Sequence, residues 1–185
     1  MASSTSRRQI FIQGALRLVS LLHLERFIHR FIQLRGSTYP FTEYFRGLDK
    51  VEAVKQIFGE RTVEVLGSLR VEFVPFGGYM WVDGADGHLV VNSRYLREGD
   101  RTDIYLDLIH ELVHVSQFSD GMELFDSHYD YVERPTELEA YSHAVNEARR
   151  LELSDQRICN YLWTEWMSRN DLKRLAEALN VNCEI

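Results

Sequence analysis

Thr102-Asp103-Ile104-Tyr105-Leu106-Asp107-Leu108-Ile109-His110-Glu111-Leu112-Val113-His114-Val115 is the stretch around which the rest of the chain arranges itself. Thr102 offers an N-cap, Asp103 an acidic first turn, and the apolar residues from Ile104 onward predict a helix ending near Asp120-Gly121. So apolar a helix belongs in the centre of a fold. Inside it, His110 and His114 stand four residues apart, which puts both imidazoles on one face, near enough to share one cation. Zinc suits such a pair. Glu111, one step round the helix, is badly placed to join both His as a ligand but can take a proton from water in an open metal position. With 7 His and 17 Glu in 185 residues, this pentapeptide is expected by chance about 0.02 to 0.03 times per shuffled chain. As ordinary polar positions of a buried segment, His110, Glu111 and His114 would all need partners, and a metal satisfies the three together.

Upstream, Asp49 can cap a short helix closed by Gly59. From 61 to 92 the pattern changes to β-branched and aromatic runs (63–66, 69–76, 79–82 and 89–92), punctuated by Gly67, Gly77-Gly78 and Asp83-Gly84-Ala85-Asp86-Gly87. These predict meandering antiparallel strands. Downstream, Pro135 and a Thr136/Glu139 capping box open a helix to about Leu151, Ser154 opens another to about Ser168, and Asn170 or Asp171 starts the last. Trp163, Trp166 and Leu162 read as core packing. Helices, then a sheet, then helices is the segregated α+β order rather than alternating βαβ.

A third ligand must come from elsewhere. Asp120 lies six residues after His114, but the chain would have to turn sharply at Gln117, where a side chain carries a Cβ penalty that glycine avoids. The alternative lies in Arg134-Pro135-Thr136-Glu137-Leu138-Glu139-Ala140-Tyr141. Together with His110-Glu111-Leu112-Val113-His114 this resembles the gluzincin clan of zinc metallopeptidases, in particular small zincins such as the minigluzincins and the ImmA/IrrE-like proteins. The resemblance spans 103–149 and the preceding strands. It implies Zn2+ held by His110, His114 and Glu137, with Glu111 as general base in the cleavage of a peptide or protein substrate. Glu139 is the fallback ligand. Ala140 matches the small residue that lets the two helices approach, whereas Tyr141 stands where the clan often has Asp or Asn to orient a ligand. The resemblance also implies a small antiparallel or mixed sheet over the active-site helix, a C-terminal helical subdomain, and an edge strand pairing with extended substrate, here expected at 88–92. Tyr131 and His143 are the candidates for stabilising the transition state, among Tyr and His that more often serve packing. A zincin-fold regulatory or binding protein with a metal site but little peptidase activity is the alternative.

Length and 45% apolar content suit one domain over 1–185, comprising an N-terminal segment 1–35, helix plus sheet at 36–100, and the active-site and C-terminal helices at 101–185. A formal charge of -7 with scattered Lys and Arg gives no footprint for nucleic acid. Apolar residues at near-helical spacing predict an amphipathic helix over 10–34, which packs on the domain, covers the cleft or touches a membrane peripherally. Arg7-Arg8 loosely resembles an export signal, but Gln13 and Arg17 interrupt its apolar core, which favours a cytoplasmic location. Cys159 and Cys183 read as unpaired thiols in a reducing compartment.

Overall fold

The computed structural model describes residues 37–184; the helix expected over 10–34, with its membrane or cleft contact, lies outside them. In chain order the elements are β1 (Thr38–Pro40), α1 (Phe41–Tyr44), α2 (Glu52–Phe58), α3 (Thr62–Ser68), β2 (Arg70–Val74), β3 (Met80–Val82), β4 (Leu89–Asn92), α4 (Ser93–Glu98), α5 (Arg101–Ser119), α6 (Pro135–Arg150), α7 (Asp155–Leu162) and α8 (Arg169–Ala178). The class is α+β. One buried apolar cluster runs from Phe41 to Val181 and includes both the sheet and the C-terminal helices.

The sheet has the order β1-β2-β4-β3. β1 pairs antiparallel with β2 and β3 antiparallel with β4, but β2 and β4 lie side by side in parallel. This corrects the expected antiparallel meander. After β2 the chain runs out to the far edge, forms β3, and turns back into the middle as β4, so β2 and β3, consecutive in sequence, are not neighbours in the sheet. The edge strand near the central helix is therefore β3, while the 89–92 strand expected there is interior. The β3–β4 turn is fixed by Gly87, whose φ of 76° favours glycine and where a Cβ would lie 2.4 Å from the Phe118 ring. That close approach seats the turn on α5.

Two more expectations change. The run 63–66 is helical rather than a strand, because its burial follows a helical period: Thr62 and Leu66 are buried while Val63 and Glu64 face solvent. Trp163 and Trp166 are not core residues; α7 stops at Leu162, and the two rings are 44% and 59% exposed. Cys159 and Cys183 are joined in a disulfide that ties α7 to the C-terminal segment, correcting the reading of two unpaired thiols. Among the described residues no helix is long and apolar enough to cross a membrane.

α5 is the organising element. Asp100, two residues before the expected Thr102, caps it by accepting from the Thr102 and Asp103 amides. Ile104, Leu106, Leu108, Ile109 and Leu112 are buried along it. α5 packs chiefly on α6, and also on α2 and β3. Fully buried Ala140, Ala144 and Ala148 on α6 let the two helices come close. The site lies where α5, α6 and β3 meet.

Candidate metal centre

His110 and His114 point into this junction from α5, and Glu137 comes from the first turn of α6; all three are buried. His110 Nε2 and His114 Nε2 are 3.0 Å apart, and Glu137 Oε2 lies 3.3 Å from the first and 3.5 Å from the second. Ligands bonded at about 2.0–2.1 Å to a tetrahedral ion stand roughly 3.3 Å from one another, so the three atoms have the spacing of a coordination face. Glu137 Oε2 is buried and completes no well-aligned hydrogen bond, with only the two imidazoles near it, and its other oxygen faces Arg134 at 3.6 Å. A buried carboxylate oxygen without a donor is costly, and a cation at the centre of the triad would satisfy it. Imidazole nitrogens and a carboxylate oxygen are the donor set that fits zinc.

His114 is oriented from behind by Gln117. The Gln117 Nε2 donates to the Thr136 carbonyl at 3.0 Å and to Glu139 at 2.8 Å. Both partners only accept, which fixes the amide so that its oxygen accepts from His114 Nδ1 at 2.7 Å. With Nδ1 holding a proton, Nε2 is left to face the triad. His110 has no such support: its Nδ1 is buried without a partner, and the Tyr141 ring lies edge-on at 4.4 Å.

The remaining predicted residues sort themselves by position. Glu111 is buried beside the triad, and its carboxyl lines the same cavity. Burial pushes it up to about 8, with Glu137 and Asp107 adding to the shift and His114 opposing it. Burial alone would keep His114 neutral, but Glu137 and then Glu111 outweigh it and hold its imidazolium up to about 9. For His110 burial prevails and its pKa falls, while in Glu137 the two imidazoles overcome burial and hold the carboxyl down. Asp120 sits away from the centre, 3.7 Å from Arg61, because Gln117 stays helical and the chain turns only at Gly121. Glu139 is engaged by Gln117 rather than aimed at the triad or capping α6 with Thr136, whose hydroxyl donates to Leu124. Tyr131 lines the cleft with its hydroxyl 3.0 Å from that of Tyr141, whereas His143 lines neither cavity beside the triad.

A cavity of about 180 Å3, walled by Met80, Trp81 and Val82 of β3 and by Leu124, Phe125 and Tyr131, opens directly on the three ligand atoms and Glu111. No family model, curated protein or solved structure matches this chain. The geometry must therefore carry the functional reading. Among the described residues one other group has metal-like spacing, Asp83, Asp86 and His88, but its His88 ring is already taken by Asp86 and Glu72. Gln117 is the site residue that sequence reasoning missed. Its position three residues after His114, on the same helical face, was the available signal.

Proposed function

We propose that this protein is a zinc-dependent hydrolase of the gluzincin type, acting on peptide bonds. The observation that carries the reading is the meeting of two imidazole nitrogens and one undonated carboxylate oxygen within 3.5 Å of one another beside a second carboxyl, on a cleft wall. His110, His114 and Glu137 would hold the ion, which when bound acidifies water and polarises a carbonyl. Glu111 is the general base: it accepts a proton from the attacking water and passes it to the leaving amine. A folded-state pKa raised by burial suits a group that must both take and return a proton near neutrality. Tyr131, whose hydroxyl burial holds in its protonated form, is the donor nearest the cleft for the developing oxyanion.

β3 supports a peptide as substrate. It is the terminal strand of the sheet, runs beside α5, and contributes Met80, Trp81 and Val82 to the cavity. An extended peptide could add to that edge by main-chain hydrogen bonds and lay a carbonyl across the triad. The same placement is what the resemblance to small zincins implies, with β3 in the role expected of the 89–92 strand.

The test combines metal analysis with hydrolysis of a mixed peptide library. Wild-type protein is expected to carry about one zinc per chain and to cleave; Glu111→Gln is expected to keep the zinc and lose activity by roughly a thousandfold or more, as removal of a base with no substitute should. Equal cleavage by the variant, or a purified wild type unable to bind zinc, defeats the proposal.

A further inference from the structure

Beyond Glu111 the cleft continues into a second cavity of about 230 Å3, which shares His110, Glu111, Met80 and Tyr131 with the first. It is smaller than the roughly 300–1,000 Å3 that takes a whole drug-sized ligand, so it suits one side chain or one chain end. Asp103 and Asp107 of α5 line it, and no Lys or Arg does. Asp103 is neutralised by Arg157 at 2.6 Å. Asp107 has no ion pair among the described residues; it accepts from the Tyr95 hydroxyl at 2.6 Å and from the Tyr161 hydroxyl, and nothing of opposite charge approaches it. Rings of Tyr79, Tyr95, Trp163 and Trp166 complete the walls, with Tyr79 4.6 Å from Tyr95 and 6.0 Å from Trp166.

Two further observations point to a ligand. Thr164, 7% exposed, lines this cavity and its hydroxyl has no hydrogen-bond partner among the described residues, while the neighbouring Tyr161 hydroxyl is turned to Asp107. Buried hydroxyls are normally bonded, so an orphan on the cavity wall marks a place where a polar partner is missing. The two tryptophans at its mouth are 44% and 59% exposed and leave aromatic faces open to the cavity.

We propose that this cavity is a recognition subsite for a cationic group of the substrate, seated against the Asp107 carboxylate and boxed by Tyr79, Tyr95 and Trp166. A carboxylate with no counter-ion, aromatic faces and a spare hydroxyl acceptor are together the chemistry that selects an ammonium or guanidinium over a neutral group. Burial raises the Asp107 carboxyl to about 6, against the pull of Tyr95, which leaves it mostly charged at neutral pH. The cation is a Lys or Arg side chain flanking the scissile bond or the free α-ammonium of a peptide. That the ligand is a peptide rests on the hydrolase reading; that the cavity selects a cation does not.

The experiment therefore reads binding without cleavage, through the fluorescence of the full chain, since two of its three tryptophans line the cavity. Three probes are titrated: Nα-acetyl-lysine amide, with a side-chain cation only; leucine amide, with an α-ammonium only; and neutral Nα-acetyl-norleucine amide. At least one cationic probe is expected to bind about tenfold or more tighter than the neutral one, and which does so names the source of the cation. Asp107→Asn should abolish that preference. Should this variant fail to fold, Trp166→Ala, at an exposed ring, takes its place and should cut the preference severalfold. Equal binding of all three probes, or a preference that survives the variant, overturns the proposal. Zinc content and library cleavage are scored separately, so failure of the hydrolase reading leaves this result interpretable.

Discussion

The two imidazoles of the triad are 3.0 Å apart but live in different surroundings. His114 is locked by a hydrogen-bonded chain through Gln117 to the Thr136 carbonyl and Glu139, which also joins the end of α5 to the start of α6. His110 has polar contacts only on the triad side, through Nε2; behind it an aromatic ring lies against it and Nδ1 has no hydrogen-bond partner among the described residues. One imidazole is oriented by polar chemistry and the other chiefly by shape. An asymmetric site of this kind should respond unequally to changes on its two sides.

Removing a ligand is the strongest perturbation. His110→Ala, His114→Ala and Glu137→Ala should each lower zinc affinity well beyond the 10- to 100-fold typical of an outer partner, read by competition with a chromogenic chelator. Asp120→Ala should leave it unchanged, since Asp120 lies out at Arg61. If Glu137→Ala holds zinc as tightly as wild type, the triad is not the metal site.

Next in size is the outer support of His114. Gln117→Leu frees the imidazole, leaves His114 Nδ1 buried without a partner and removes the tie from α5 to the Thr136 carbonyl and Glu139. Zinc affinity should fall about 10- to 100-fold, and thermal unfolding should show a loss of about 1–3 kcal/mol. Among the described residues no equivalent partner exists to remove on the His110 side, so an unchanged affinity in Gln117→Leu would erase the proposed asymmetry.

How much of this was legible in the sequence differs by region for a physical reason. α5 and α6 could be read because their apolar period, their breakers and the His110/His114 spacing are local. Glu137 followed from a resemblance, and its place opposite the two His depends on helix packing permitted by Ala140 and Ala144. The sheet was misread because pairing is nonlocal: no pattern in 70–92 says that β4 enters between β2 and β3. Gln117 was weighed for its backbone, as a residue where glycine would be wanted, and its side chain was overlooked. Likewise 24 residues separate Cys159 from Cys183, and only the fold of α7 and α8 brings them together.

The unlike protonation of the triad gives a third test, on metal-free protein. Both Glu111, raised to about 8 by burial, and His114, raised to about 9 once Glu137 and Glu111 outweigh burial, bind protons more tightly folded than unfolded. Each therefore adds stability that is complete below its unfolded pKa and lost as pH rises through its folded one. His110 has the opposite sign, but above its ordinary 6.5 it is neutral in both states and drops out. Glu137 is charged in both states there. From about pH 6.5 to 8, then, chemical denaturation should show stability falling by roughly 1–2 kcal/mol per pH unit, and Glu111→Gln should flatten the slope. A slope of the reverse sign would mean that the His114 proton is not held by Glu137.

The smallest expected effect probes the His110 side directly. The Tyr141 hydroxyl bonds to Tyr131, not to His110, so Tyr141→Phe removes a contact that the ligand does not use. Zinc affinity should change by less than about threefold, far below the 10- to 100-fold set for Gln117→Leu. Tyr141→Asn is the sharper variant. It puts an amide where the resembling clan has one and offers the orphaned Nδ1 an acceptor, while it removes a buried ring. Affinity and stability should therefore move in opposite directions, zinc binding tightening as unfolding becomes easier by about 3 kcal/mol. If both fall together, the ring itself holds His110 in place, and shape alone is enough to orient a ligand.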